Sequence, residues 1–395
     1  MNILVLSNSL EESQAGAAHH SVEFINSLAS RSDTRVCVFT TAATDRLHPA
    51  AQVKFYRAPR PLKALWRVEK LWEVKRWATE MRRLSLPKVD VCFTRSTALG
   101  LAFRSITRTV PIISQIGSVI ASRETFEETI PDESRKWYVR LHASVADQQE
   151  IRSYREGRWL HLVSTPIVAA VRERTHHLGR GFFHVCPLGS SVERFDRARL
   201  YPDVRREHSI DPAATVLLTV ARLKRWKNID LVVRALAALR RDNVYLIVVG
   251  GGPEMDNLKQ LAAQCGVADR TRFVGQIADP APYYSASDIF VLPSSIESFG
   301  NVYVEAMLMG LPCIGMRHHP PDILSSAEDV IPEGLAGYCI SELDELVERL
   351  DKLTVDTALR RELGENAFQH ARKNYTIERY TETVLGLARS NFGVS

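Results

Sequence analysis

Two glutamates with seven residues between them, Glu297 and Glu305, stand in the stretch Pro293-Ser294-Ser295-Ile296-Glu297-Ser298-Phe299-Gly300-Asn301-Val302-Tyr303-Val304-Glu305-Ala306. The strand-like run Ile289–Leu292 stops before Pro293, and a helix is expected from Gly300–Asn301. Glu297 then falls in the loop and Glu305 about one turn into the helix. The free N–H groups of Phe299, Gly300, Asn301 and Val302 at such a helix start form a cradle for an anion. Carboxylates accept hydrogen bonds from hydroxyl groups and repel phosphate. Together the N–H groups and the two carboxylates suit a phosphorylated sugar; the plainer alternative is two solvated glutamates flanking a helix.

A second chemical element is the turn Ala221-Arg222-Leu223-Lys224-Arg225-Trp226-Lys227-Asn228, after the strand-like TVLLTV. Arg222 offers a planar fork for phosphate oxygens and Lys227 a point charge. A solvated basic turn is the competing reading. A third is Gly250-Gly251-Gly252, which permits a tight turn or close approach of a ligand. It is not G-x-G-x-x-G, so no dinucleotide site is indicated.

These loops need a scaffold that brings them to one edge. The chain alternates short β-branched runs with amphipathic helical stretches, which means βαβ units and parallel sheets covered on both faces. Strands are expected at 1–6, 35–40, 89–94, 110–114, 160–164 and 184–187, with a helix at 17–30. A second α/β series follows, with strands at 215–220, 244–249, 271–274, 289–292 and 312–315. In open parallel sheets ligands bind at the carboxyl ends of strands, where all three chemical elements lie. The polar stretch Phe195–Pro212 reads as an interdomain linker. The expected fold class is α/β, with an N-terminal Rossmann-like domain at 1–195, a C-terminal one at 196–375, and a helix at 376–395 packing back on the first.

The 395 residues exceed what one core serves and suit two domains. Lys plus Arg is 51 against 46 Asp plus Glu, a net charge of +5 that falls short of a dedicated nucleic-acid binder. The six cysteines form no C-x-x-C pair and read as buried reduced thiols in a cytoplasmic protein. No Asp-x-Asp occurs, so the simplest carboxylate pair for a phosphate-bridging metal is missing, and no metal is expected. No apolar run reaches bilayer-spanning length, and the start MNILVLSNS lacks the basic region of a secretory signal.

In order along the chain, HVCPLGSSVERF, ARLKRWKN, VVGGGPE, TRFVGQIADPAPYYSASDIFVLPS and PSSIESFGNVYVEAMLMGLPCI resemble the retaining GT-B glycosyltransferases of the GT4 group (glycosyl transferases group 1). The resemblance is densest between Leu217 and Gly337. It implies two Rossmann-like domains with a donor and acceptor cleft between them. It further implies a nucleotide diphosphate sugar as donor and a glycan, lipid-linked or small-molecule acceptor. By that resemblance Arg222 and Lys227 bind the donor diphosphate and stabilise the departing charge. Glu297 holds the donor sugar, aided by the N–H groups of Phe299, Gly300, Asn301 and Val302, and Glu305 holds the ribose. Gly275, in the turn Val274-Gly275-Gln276, lies at the base, and Gly16 in the N-terminal glycine loop. No cofactor is implied. Rival readings are a phosphorylase or synthase of the same fold and an inactive sugar-binding relative.

Two features depart from the family. A histidine expected after Pro111-Ile112-Ile113-Ser114 is missing; Gln115, Ser118, His19 or His20 are candidates to replace it. A glycine pair in the second domain is replaced by Arg317-His318-His319-Pro320-Pro321-Asp322. One stretch stands apart: residues 57–83 hold nine Lys or Arg, three Glu and the tryptophans Trp66, Trp72 and Trp77. Such a segment fits an interfacial helix on anionic lipid, or an ordinary helix with its aromatics in the core.

Overall fold

The computed structural model describes residues 1–7, 10, 17–41, 45–55, 71–84, 86–115, 136–165, 168, 183–320 and 322–394. The chain forms two compact units, Met1–Pro187 with Tyr380–Ser395, and Leu188–Arg379.

The first unit is built on strands β1 (Asn2–Leu6), β2 (Arg35–Thr40), β3 (Gln52–Phe55), β4 (Val91–Thr94), β5 (Ile112–Gln115), β6 (Trp159–Val163) and β7 (Phe183–Val185). They are parallel and ordered β3-β2-β1-β4-β5-β6-β7. The order reverses direction between β1 and β4. After their first residues, β1 and β2 are buried throughout, as unbroken apolar strands covered on both faces should be. Around them lie α1 (Ala17–Ala29), α2 (Glu73–Arg83), α3 (Thr97–Arg104) and α4 (Lys136–Arg155). Leu4, Leu6, Phe39, Cys92, Leu99, Phe103, Ile112 and Trp159 share one core.

Within that unit is a closed polar network. The indole N–H of Trp159 donates to Ser114 Oγ at 2.9 Å, and Ser114 Oγ meets His161 Nδ1 at 2.8 Å. His161 stacks on Trp159, and desolvation by burial pushes its imidazole down to about 3.

The second unit carries β8 (Thr215–Val220), β9 (Val244–Val249), β10 (Thr271–Gly275), β11 (Ile289–Leu292), β12 (Ile296–Glu297), β13 (Cys313–Met316), β14 (Leu324–Ser325) and β15 (Gly337–Ile340). The main sheet is ordered β10-β9-β8-β11-β13-β15, reversing between β8 and β11, while β12 and β14 form a separate parallel pair. Its helices include α5 (Ile229–Ala238), α6 (Met255–Gln264), α7 (Asn301–Leu308), α8 (Leu343–Val355) and α9 (Thr357–Asn374). The core joins Leu217, Leu246, Val248 and Val291 of the strands to Val232, Leu236, Leu346 and Leu350 of the helices.

The chain passes between units after Pro187, so the stretch Phe195–Pro212 is not a free linker. Phe195 is buried. Arg205 pairs with Asp288 at 2.8 Å and donates to the carbonyls of Ala286 and Ala214. The Arg205 charge is satisfied inside the second unit, so the stretch is anchored there although most of its residues are exposed. The final helix, α10 (Ile377–Phe392), enters the first unit at Tyr380. There Tyr380 donates to Gln115 Oε1 at 2.9 Å, Thr381 bonds Ser27, and Arg389 lies 3.0 Å from Asp33. None of the described helices is long and apolar enough to cross a membrane.

Candidate functional site

At a point where strand order reverses, the loops leaving the two central strands part in opposite directions and open a crevice at the carboxyl edge. In the second unit those strands are β8 and β11. The loop after β8 is the basic turn; the loop after β11 carries Glu297.

The two loops are strapped together. Ser295 N–H donates to Trp226 O at 2.9 Å, and Asn228 Nδ2 donates to Pro293 O at 2.9 Å. Lys227 Nζ then reaches Glu297 Oε2 at 2.6 Å, with side chains only 16% and 12% exposed. Glu297 is also held from its other side, since β12 pairs with β14 and Ser326 N–H donates to Glu297 O. Thus Glu297 lies on a short strand and not in the open loop expected. Arg222 is exposed, and its side chain has no hydrogen bond or ion pair among the described residues.

Gly300 is the residue before α7, with φ of 71°. A side chain there would be strained by the left-handed backbone and would press on Tyr303 at 2.6 Å. The turn aims the helix start at the crevice. No described residue accepts from the backbone N–H groups of Phe299, Gly300, Asn301 or Val302, and the buried Ser294 Oγ and Asn301 Oδ1 find no hydrogen-bond partner among the described residues either. Phe299 is buried, edge-on to Tyr375.

Glu305 accepts from the buried Tyr284 hydroxyl at 2.9 Å. Burial raises its carboxyl above the ordinary range, while Arg194 and the Tyr284 hydrogen bond pull it back. The triple glycine serves the backbone rather than a ligand at two of its positions. A side chain on Gly250, at φ of 130°, would collide with the Ala221 carbonyl, and one on Gly252 with that of Leu223. Leu223 N–H donates to Gly251 O, so the glycines seat the basic turn. Gly275 ends β10, and its carbonyl accepts from Gly250 N–H at 2.8 Å.

Gly16, Ser118, Trp66 and most of the basic stretch lie outside the described residues. Gln115 is buried, accepting from Tyr380 and donating to Leu162 O. Both ends of its amide are spent on packing, so it does not stand in for a ligand-facing histidine. Composition alone gave no sign of that, because both partners are remote in sequence.

Two Rossmann-like units, each a parallel sheet with a reversal in strand order, define the GT-B class of α/β protein. Residues 201–370 match the family model described as Glycosyl transferases group 1, and the second unit belongs to that family. Among curated relatives, a lipopolysaccharide core biosynthesis glycosyltransferase, LpsD of Rhizobium meliloti, is 32% identical over 197 residues, covering 50% of this chain and 56% of that one. The chain spans about half the length of the curated relatives it matches. Among solved structures, a sucrose-phosphate synthase from Thermosynechococcus elongatus has a TM-score of 0.76 at 19% identity, covering 100% of both chains. HepE of Anabaena, in complex with UDP and glucose, has a TM-score of 0.71 at 19% identity, covering 98% of this chain and 99% of that one.

Proposed function

We propose that the protein is a retaining glycosyltransferase that moves a hexose-type sugar from a nucleotide diphosphate sugar to a glycan, lipid-linked or small-molecule acceptor without a metal ion. The observation that carries this reading is the Lys227–Glu297 pair, set at the β8/β11 crevice beside the unpartnered N–H groups of Phe299 to Val302. HepE, of like fold, binds UDP and glucose, and the name of LpsD places that relative in lipopolysaccharide synthesis.

In this reading the donor diphosphate lies between the basic turn and the start of α7. An ammonium has three donors, so Lys227 can hold Glu297 and a phosphate oxygen together. Arg222 supplies a second cation. Glu297 faces the sugar hydroxyls and Glu305 the ribose. Reaction breaks the bond from the sugar's anomeric carbon to the diphosphate and forms one to the acceptor oxygen on the same face. The acceptor's hydroxyl proton passes to the departing phosphate oxygen. Catalysis then rests on positioning and on stabilising the charge that develops on the diphosphate.

The reading extends to a protein working in the cytoplasm with peripheral contact to the inner membrane face through residues 57–83. Leu71 and Trp72 are 52% and 55% exposed, and Lys75 stands 5.6 Å from the Trp72 ring. Trp77, by contrast, packs on the first unit's core.

The test is a thermal-shift series with UDP, GDP, ADP and their sugars. Binding to the folded state raises the melting temperature by mass action. One nucleotide series is expected to do so, with turnover of its sugar on an acceptor; no shift with any of them would overturn the reading.

A further inference from the structure

The first unit has its own strand reversal, between β1 and β4, and at that crevice a guanidinium that meets no carboxylate and a buried imidazole N–H that meets no acceptor among the described residues lie side by side. Arg95 directly follows β4, and His20 lies in the first turn of α1, the helix that follows β1. The end of β4 is tied to that of β1 by Thr94 Oγ1 donating to Leu6 O at 3.2 Å. Arg95 Nη1 stands 3.0 Å from His20 Nδ1. A guanidinium can only donate, so Nδ1 must accept and the ring proton sits on Nε2. His20 is 2% exposed, and its Nε2 meets no acceptor among the described residues.

Arg95 is partly buried and pairs with no carboxylate among the described residues. A desolvated cation beside a buried, unmet N–H is costly unless something anionic completes it. Tyr380 packs edge-on against the His20 ring at 4.8 Å, but its hydroxyl donates to Gln115 and so supplies no charge. The imidazole is held neutral by burial and by Arg95, which keeps Nδ1 as the acceptor that orients the guanidinium.

We propose that Arg95 and His20 form an oxyanion-binding site at the β1/β4 reversal, taking a phosphate or carboxylate group of a small molecule. Arg95 offers its planar fork to two oxygens, and His20 Nε2–H adds a third hydrogen bond. Joined to the transferase reading above, on which this one step rests, the site makes the acceptor an anion.

Histidine-selective ¹⁵N labelling of the full chain reads the site directly, with the His20 signal assigned by its loss in His20→Gln. Inorganic phosphate, methyl phosphate and acetate are titrated separately. Phosphates or acetate, or both, are expected to move the His20 signal saturably, and the series that does so identifies the group. Arg95→Gln should weaken that binding by roughly 10- to 100-fold, and Arg95→Lys, which keeps the charge and guards against misfolding, by less. A His20 signal unmoved by all three anions at millimolar concentration overturns the proposal, as does Arg95→Gln binding like the parent. The nucleotide series above reads the other unit, so either result can fail without the other.

Discussion

Lys227 and Glu297 meet at 2.6 Å across the crevice between β8 and β11, and each comes from the loop that leaves one of those strands. The contact fixes the carboxylate beside the unpartnered N–H groups of α7, where an electron-rich diphosphate and an electron-poor sugar would adjoin. Glu297→Gln keeps the shape and removes the charge. It should lower kcat by about 100-fold or more, as losses of preorganised charge do, while nucleotide affinity changes less. Steady-state kinetics with direct nucleotide binding tests this; an unchanged kcat sinks the assignment.

Glu305 contacts Tyr284 and, in the proposed complex, a part of the donor that reaction leaves unaltered. Glu305→Gln should therefore raise KM by roughly 10- to 150-fold with kcat little changed, the loss of one charged hydrogen bond of about 1.5–3 kcal/mol. Tyr284→Phe should follow more mildly, since it frees Glu305 without removing it. Nucleotide binding by Glu305→Gln equal to that of the parent removes Glu305 from the site.

Turnover should survive EDTA. The donor charge is assigned to Arg222, Lys227 and backbone N–H groups, and the sequence holds no Asp-x-Asp. Activity lost to EDTA and restored by Mg²⁺ or Mn²⁺ refutes the metal-free route.

Sedimentation with anionic vesicles tests the proposed lipid contact. Replacing Arg67, Lys70, Lys75 and Arg76 by Gln should abolish it, each basic residue near such a surface being worth about 1 kcal/mol. Binding unaltered by the four changes, or absent in the parent, returns the segment to ordinary packing.

His161 makes stability sensitive to mild acid. In the unfolded chain its imidazole protonates near pH 6.5, but in the fold only near 3. Its proton uptake therefore favours unfolding progressively as pH falls from about 6.5 toward 3, and has no effect above that window. By pH 5 the loss is about 2 kcal/mol. Denaturant melts at pH 7 and pH 5 should show it, and His161→Gln should reduce the difference. An equal pH dependence in the variant excludes His161 as its source.

Much of this was written openly in the chain. Unbroken apolar runs such as Ile3–Leu6 and Leu246–Val249 announce buried parallel strands, and Pro293 and Gly300 bracket the glutamate loop. What the sequence withheld were contacts between distant residues. Arg205 looks like a solvated charge until Asp288 is beside it, and Gln115 like a polar ligand group until Tyr380 and Leu162 claim its amide. The three glycines read equally as ligand loop or turn; only the carbonyls of Ala221 and Leu223 decide between them. Arg95 and His20 passed unpaired because one follows β4 and the other opens α1, with most of the first unit's sheet order needed to join them.

The helix that begins at Ile377 and joins the first unit from Tyr380 sets an order of events during synthesis. The ribosome delivers the strands of the first unit before the second unit, yet their last partners, Tyr380 for Gln115 and Arg389 for Asp33, emerge only after it. The whole of Leu188–Arg379 is out before the earlier-made half can close. The usual vectorial order, in which the leading domain finishes first, is thereby inverted. Stalled nascent chains cut at Arg379 and extended by an unstructured linker that fills the exit tunnel should show a protease-resistant second unit and a first unit still open to cleavage.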